Sequence, residues 1–282
     1  MSKIAIAVDT ASNISLEKAR EEGLYLLPFA INMGDDTLLD LIEISPKELY
    51  EGMDKVLPRT GVPGPAYVED FLKDILKDHD EIIFITISDQ LSGMYNLLSL
   101  VAKELSDKIH IVDTRAVGMT NAFIAIKAKE MVDAGKTSKE IITYVESLLD
   151  ETKSYVLLDT LHYLMKGGRI SKLNAALGGF IRVKPLLEVK DGALNIVSKE
   201  RGTARARKAF LARLIEDLEG LEGSSYCIGL YHSNNQEACD KLKAELQDYI
   251  DGADIYLEEQ LTSVLGVHAG PDSVGASIVK LK

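Results

Sequence analysis

Three short runs concentrate the hydroxyl, imidazole and backbone donors that a small anion needs. Thr60-Gly61-Val62-Pro63-Gly64-Pro65 stands before a predicted helix. Ser88-Asp89-Gln90-Leu91-Ser92-Gly93 follows a predicted strand, and Gly266-Val267-His268-Ala269-Gly270-Pro271 lies near the C-terminus. Thr60 and Ser92 each precede a glycine at a turn. The first N–H groups of a helix opening at Met94 have no intrahelical acceptor. A carboxylate or phosphate placed there would take those N–H groups, the Ser92 hydroxyl and the favourable end of the helix dipole. The plainer role for Ser92 is to cap its own helix. His268, expected in a tight turn, can donate to an anion or staple its loop. No run supplies nucleophile, base and orienter together, so binding is expected ahead of catalysis.

Other polar residues carry weaker signals. Asp9 ends the first apolar run and could orient a loop, cap the following turn or hold a metal. No glycine-rich dinucleotide fingerprint follows it. The histidines lack the close spacing of a zinc site, so no metal is expected. Ser92 and His268 could be cast as nucleophile and base of a small acyl or phosphoryl hydrolase or transferase. Against that, Ser92 lacks the Gly-x-Ser-x-Gly elbow and no orienting acid is identifiable. A purely regulatory or interacting protein is a third class.

The chain has 282 residues, 46% of them apolar, and a formal charge of -12. That length suits two domains or one large one. The acidic balance argues against nucleic-acid binding, which needs clustered cations. It also makes local basic elements conspicuous. Lys166-Gly167-Gly168-Arg169 is one, and the segment from Arg201 through Arg205 to Lys208 is the other. Arg201, Arg205 and Lys208, or Arg205 and Lys208 alone if the helix starts late, share a face at helical spacing, as a dock for an acidic partner or as a solvated helix face. Cys227 and Cys239 are expected as reduced thiols in a cytoplasmic protein. The start is too short for a signal peptide. No run reaches the ~18–20 apolar residues of a membrane span.

The elements that must position these residues alternate. Ile4 to Val8 and Ile82 to Ile87 are continuous apolar strands, as a parallel sheet covered on both faces requires. Tyr25 to Ile31 is predicted as one further strand. Helices are predicted over 45–57, 66–77, 94–106 and 118–133, with another from Ser138 to about Asp150. This rhythm gives a three-layer α/β domain with a largely parallel sheet over residues 1–152. Beyond it the pattern changes. Lys190-Asp191-Gly192-Ala193 is a hairpin signal between two short strands. Helices are predicted over 161–165, 171–180, 203–219 and 236–249, with strands at 154–158, 226–231 and 254–258. Gly275 to Leu281 can close the sheet. Residues 153–282 then form an α+β domain with a mixed sheet, and a ligand would lie between or beside the two domains. The apolar run Leu173, Ala176, Leu177, Phe180, Ile181 suits a core or a narrow lipid tunnel equally.

Read together and in order, these segments resemble the DegV family of bacterial fatty-acid-binding proteins. The resemblance rests on strand-Asp9-Thr10-Ala11-Ser12, Thr60 to Pro65, Ile87 to Tyr95, Asp159-Thr160-Leu161, Gly167-Gly168-Arg169-Ile170-Ser171, Lys184-Pro185 and His268-Ala269-Gly270-Pro271. It implies a two-domain carrier, not itself an enzyme and without a cofactor, that buries a long-chain fatty acid. It implies presentation of the carboxylate to a separate ATP-dependent fatty acid kinase. The acyl phosphate would then pass to an acyltransferase of phospholipid synthesis, without stable membrane insertion. By position, Thr60, Ser92 and His268 match the head-group site, with Gly61 beside Thr60 and Gly93 as a backbone donor. Arg169, Arg201 and Arg205 match the region facing the kinase or the phosphate. The family usually has Thr-Ser-Gln-Pro where Gly61 and Val62 follow Thr60, and Ser-Ser-Gly-Leu-Ser-Gly where this chain has Asp89 and Gln90.

Overall fold

A computed structural model describes residues 2–53, 55–169 and 183–282. The predicted helix 171–180 and the apolar run from Leu173 to Ile181 lie outside them. In the first half the strands are β1 (Ile4–Asp9), β2 (Tyr25–Leu27), β3 (Ala30–Met33), β4 (Asp36–Leu39), β5 (Arg59–Gly61), β6 (Glu81–Thr86) and β7 (Ile109–Asp113). The helices among them are α1 (Leu16–Glu21), α2 (Pro46–Met53), α3 (Pro65–Leu76), α4 (Met94–Leu105), α5 (Met119–Asp133) and α6 (Ser138–Leu148). There follow β8 (Thr152–Leu157), α7 (His162–Lys166), β9 (Lys184–Lys190), β10 (Ala193–Glu200), α8 (Thr203–Glu219) and β11 (Tyr226–His232). The chain ends with α9 (Gln236–Glu245), α10 (Gln247–Asp251), β12 (Ile255–Gln260), α11 (Ser263–Ala269) and β13 (Val274–Lys280).

The class is α/β, as the strand patterns require. One sheet has the order β2-β1-β6-β7, and every pairing in it is parallel. Ile4, Ile6 and Val8 of β1 pack with α5 and α6, while Ala5 and Ala7 pack with α3 and α4. Helices on both faces are the reason these strands are apolar throughout. A second, mixed sheet has the order β10-β9-β8-β13-β11-β12, with only β11–β12 parallel among its pairings. Helix α8 covers one face of it. Helix α5 lies against the other and also against β1 and β6, so it is sandwiched between the two sheets. Residues Met119 to Ile126 are accordingly buried without a break. Cys227 and Cys239 are both buried and free.

Several local expectations are corrected. Tyr25 to Ile31 is two strands in two sheets. Pro28 has no N–H to donate, and the Phe29 N–H is diverted to Thr10 Oγ1 at 3.1 Å. The chain therefore leaves the parallel sheet at Leu27 and joins a small antiparallel sheet, β4-β3-β5. Helix α6 does open at Ser138, as expected, and its N-cap Thr137 exchanges hydroxyl and backbone bonds with Glu140. The predicted helix 236–249 breaks at Leu246 into α9 and α10. The predicted last strand is β13, which joins the mixed sheet centrally between β8 and β11.

The largest correction concerns His268, which sits in the last turn of α11 and not in a tight turn. This helix is held from outside. Asp40 accepts from the N–H groups of Ser263 at 2.9 Å and Val264 at 3.1 Å. The Thr262 N–H donates to Asn13 Oδ1 at 2.8 Å and its hydroxyl to the Thr10 carbonyl at 2.9 Å. Val264 and Val267 join the apolar cluster of Leu27, Phe29, Ile31 and Leu49. A helix from the end of the chain thus packs on elements from its beginning.

Candidate functional site

Four segments converge on one pocket. Strand β5 carries Thr60. The loop after β6 carries Ser92. The chain beyond α7 carries Arg169, and α11 carries His268. All four residues line one pocket. Thr60 Oγ1 and His268 Nε2 are 2.9 Å apart. Arg169 donates from Nε to the carbonyl of Leu91, the neighbour of Ser92, at 3.2 Å, and from Nη1 to the Gly167 carbonyl at 2.7 Å. The polar groups therefore sit together. The remaining wall is largely apolar and includes Phe29, Leu158, Leu187, Val189, Leu194 and Leu261.

Electrostatics favour an anion at the polar cluster. Burial, helped by the charge of Arg169, pushes His268 down to about 3, so the imidazole is neutral at ordinary pH. Its Nδ1 has no hydrogen-bond partner among the described residues. With the proton on Nε2, His268 donates to Thr60 and leaves the Thr60 hydroxyl proton free to point at a ligand. Arg169 is half-buried, and burial lowers its pKa. A guanidinium keeps its charge in proteins nonetheless. Among the described residues no carboxylate lies within ion-pair distance of it. A buried charge without a counter-ion is costly, and a ligand carboxylate or phosphate would offset that cost. Gly167 makes the arrangement possible. A Cβ there would stand 2.6 Å from His268 Cε1, so the backbone lies flat against the ring.

The other expected site residues are placed differently. Gly61 ends β5 and Gly93 is exposed, and neither lines the pocket. Ser92 is buried and its Oγ accepts from the Met94 N–H at 3.2 Å, so it satisfies the first N–H of α4 from the residue before the N-cap Gly93 and lines the pocket as well. The serine–imidazole pair that a hydrolase would need is not formed, because His268 Nε2 is engaged by Thr60. Asp9 is fully buried and accepts from Ala11 N–H at 3.0 Å, Thr86 hydroxyl at 2.7 Å and Ile87 N–H at 3.0 Å, a loop-fixing role. Arg169 parts from the other two arginines. Arg201 and Arg205 are exposed and do not line the pocket. Helix α8 opens only at Thr203, so Arg205 and Lys208 share its face and Arg201 precedes it.

Sequence reasoning missed the aliphatic wall supplied by β9 and β10, and it missed Asp40. The hairpin pattern held the first signal, since Leu187 and Val189 alternate with Glu188 and Lys190. Asp40 had none, because its partners are backbone groups more than 220 residues away.

Comparison with known proteins agrees with this picture. A family model described as "Uncharacterised protein, DegV family" matches residues 3–281. A DegV domain-containing protein of Clostridium perfringens is 32% identical over 286 residues, covering 99% of each chain. A fatty-acid-binding DegV family protein from Thermus thermophilus superimposes with a TM-score of 0.91 at 24% identity, covering 99% of this chain and 100% of that one. A stearic acid-binding protein from Eubacterium ventriosum gives a TM-score of 0.88 at 22% identity, covering 99% and 98%. Those two structures share the two-sheet fold. With a match running from residue 3 to residue 281, the chain belongs to the DegV family.

Proposed function

We propose that this protein binds a long-chain fatty acid, with its carboxylate at Thr60, Ser92, Arg169 and His268 and its chain along the apolar wall. The single observation that carries the reading is a half-buried guanidinium without a carboxylate partner among the described residues, opening onto an otherwise apolar pocket. A fatty acid is the simplest ligand with both properties. Burying ~14 methylenes at ~0.8 kcal/mol each contributes on the order of 10 kcal/mol before binding costs. The head group then serves orientation more than affinity. The names of the Thermus and Eubacterium proteins support the same ligand class.

The finer reading is a carrier working between residues 1–152 and 153–282 as two units, with the acyl chain between them. A separate ATP-dependent kinase would transfer the γ-phosphoryl group of ATP to the bound carboxylate, releasing ADP. The acyl phosphate would stay bound for delivery to an acyltransferase of phospholipid synthesis. Neutral His268 holds the Thr60 oxygen, and the Thr60 hydroxyl freed by that bond can donate to a carboxylate oxygen without protonating it. Arg169 can balance charge in both the acid and the acyl phosphate. Exposed Arg201 and Arg205 suit an acidic kinase surface on a chain of charge -12. Such a carrier would work in the cytoplasm; among the described residues no helix is long and apolar enough to cross a membrane.

Native mass spectrometry of freshly purified protein, followed by denaturing lipid extraction, tests the ligand. One stoichiometric long-chain fatty acid is expected. Absence of lipid together with no uptake of offered stearate would reject the reading. Charge reversal at Arg201 and Arg205 tests the kinase step. Complex formation should fall and lipid content should not; kinase binding insensitive to both reversal and salt would reject that surface.

A further inference from the structure

Two pieces of the pocket wall meet at a seam. One piece is the loop after β6, which contributes Leu91 and Ser92. The other is the β9–β10 hairpin, which contributes Leu187, Val189 and Leu194. At the hairpin tip, Lys190 pairs with Ala193, and Asp191 and Gly192 form the two-residue turn between them. Both turn residues have positive φ, 51° and 79°, the backbone of a tight primed turn. The turn carbonyls point away from the ladder and need donors from elsewhere.

The loop after β6 supplies those donors. Ser88 Oγ donates to the Gly192 carbonyl at 2.8 Å, and Gln90 Nε2 donates to the Asp191 carbonyl at 2.6 Å. Gly192 is buried although it sits at a hairpin tip beside exposed Asp191. A Cβ on Gly192 would stand 2.7 Å from Ser88 Oγ and 2.8 Å from Gln90 Nε2, so the two pieces touch with no room to spare. Ser88 is buried, and its N–H is already tied to the Ala116 carbonyl at 2.9 Å. Gln90 is exposed. The Ser88 side is thus part of the frame, and Gln90 is the outer clasp.

We propose that Gln90 and the Asp191–Gly192 turn form a latch that controls exchange of the acyl ligand, by holding the hairpin wall against the loop that carries Ser92. This rests on the fatty-acid reading of the pocket. Opening the seam would move the hairpin that carries Leu194 and Val189 away from the loop that carries Leu91 and expose the acyl chain sideways, while Thr60 and His268 stay in place on β5 and α11. Gln90 is here a positioning residue, acting through the hairpin and the loop without touching the ligand.

The test uses the full chain loaded with radiolabelled stearate and chased with excess unlabelled stearate. Gln90→Gly removes the clasp, and Gln90→Glu keeps the shape but replaces the donor by an acceptor. Each should release stearate faster by about three- to tenfold, the range that one hydrogen bond of ordinary net strength provides. Gly192→Ala, which forces the tip away, should release at least as fast. Asp191→Asn is the control, because only the backbone carbonyl of 191 is used; its rate should match wild type. Uptake should quicken along with release, so the equilibrium constant moves less than either rate, and the melting temperature of the Gln90 variants should fall by no more than about 2–4 °C, as loss of one such bond allows. Release from Gln90→Gly at the wild-type rate, with stearate bound, would overturn the latch and leave the binding reading intact. Wild-type protein that takes up no stearate would overturn the binding reading, and the latch's role in exchange with it.

Discussion

Asp40→Asn should change the pH dependence of folding stability in a defined direction. Asp40 is wholly buried, with its two oxygens bound to the first N–H groups of α11. Burial outweighs those bonds and raises its pKa from 3.8 to about 6. The folded state therefore holds a proton that the unfolded state has lost between these values. The resulting stabilisation is fully present below pH 3.8 and is lost as pH rises through about 6. A shift of about 2 units at ~1.36 kcal/mol per unit gives about 3 kcal/mol in all, of which about 2 kcal/mol falls between roughly pH 4.5 and 7.5. Asparagine cannot titrate, so the stability of the variant relative to wild type should rise by about 2 kcal/mol over that interval. Urea unfolding of both proteins at four pH values measures it, and taking the difference removes the groups they share. These include Asp9, raised to about 6 by the same cause, and His268, whose lowered pKa acts in the opposite sense. A difference that stays constant with pH would refute the argument. A difference of opposite sign would mean that the α11 N–H groups outweigh burial and hold Asp40 ionised.

Three further outcomes follow from the site. Thr60→Val, Ser92→Ala and His268→Ala should each weaken carboxylate fixation by ~1.5–3 kcal/mol; acyl phosphate formation with a kinase should fall more than retained lipid, and unchanged formation in folded variants would exclude the assigned roles. Gly167→Ala drives a methyl group into the His268 ring and should reproduce the His268→Ala defect, with a stability loss of ~1–3 kcal/mol for the overpacking, read from phosphorylation and a melting curve. Fatty acid retention should show no histidine step between roughly pH 5.5 and 8, because His268 is already neutral throughout that range; a midpoint near the ordinary histidine value that disappears in His268→Gln would contradict this.

The parts of the fold that were legible are those whose burial is local in sequence. Ile4 to Val8 and Ile82 to Ile87 announce a doubly covered parallel sheet because every residue is apolar. Asp191-Gly192 announces its hairpin because both positions need positive φ. Thr60, Ser92 and His268 could be singled out by residue type. The break at Pro28 was legible in principle from the missing N–H; its consequence, a change of sheet, was not. Arg169, Arg201 and Arg205 read alike in sequence. Only the fold separates a cation against the pocket from two that face outward.

Helix α11 shows why the site itself resisted reading. Ser263-Val-Leu-Gly-Val-His-Ala269 has a glycine and two β-branched residues in seven, a poor helix on propensity alone. Its hydrogen bonds to Asn13, Thr10 and Asp40 supply what the segment lacks. Gly266 has the same logic, for a side chain there would strike Leu49 and Tyr50 of α2. The Thr60–His268 contact spans 208 residues and exists only once α11 has docked on the first strands. The proposed carboxylate site therefore depends on long-range packing. Asn13 and Asp40 do not line the pocket, yet through their bonds to the start of α11 they help set the position of His268.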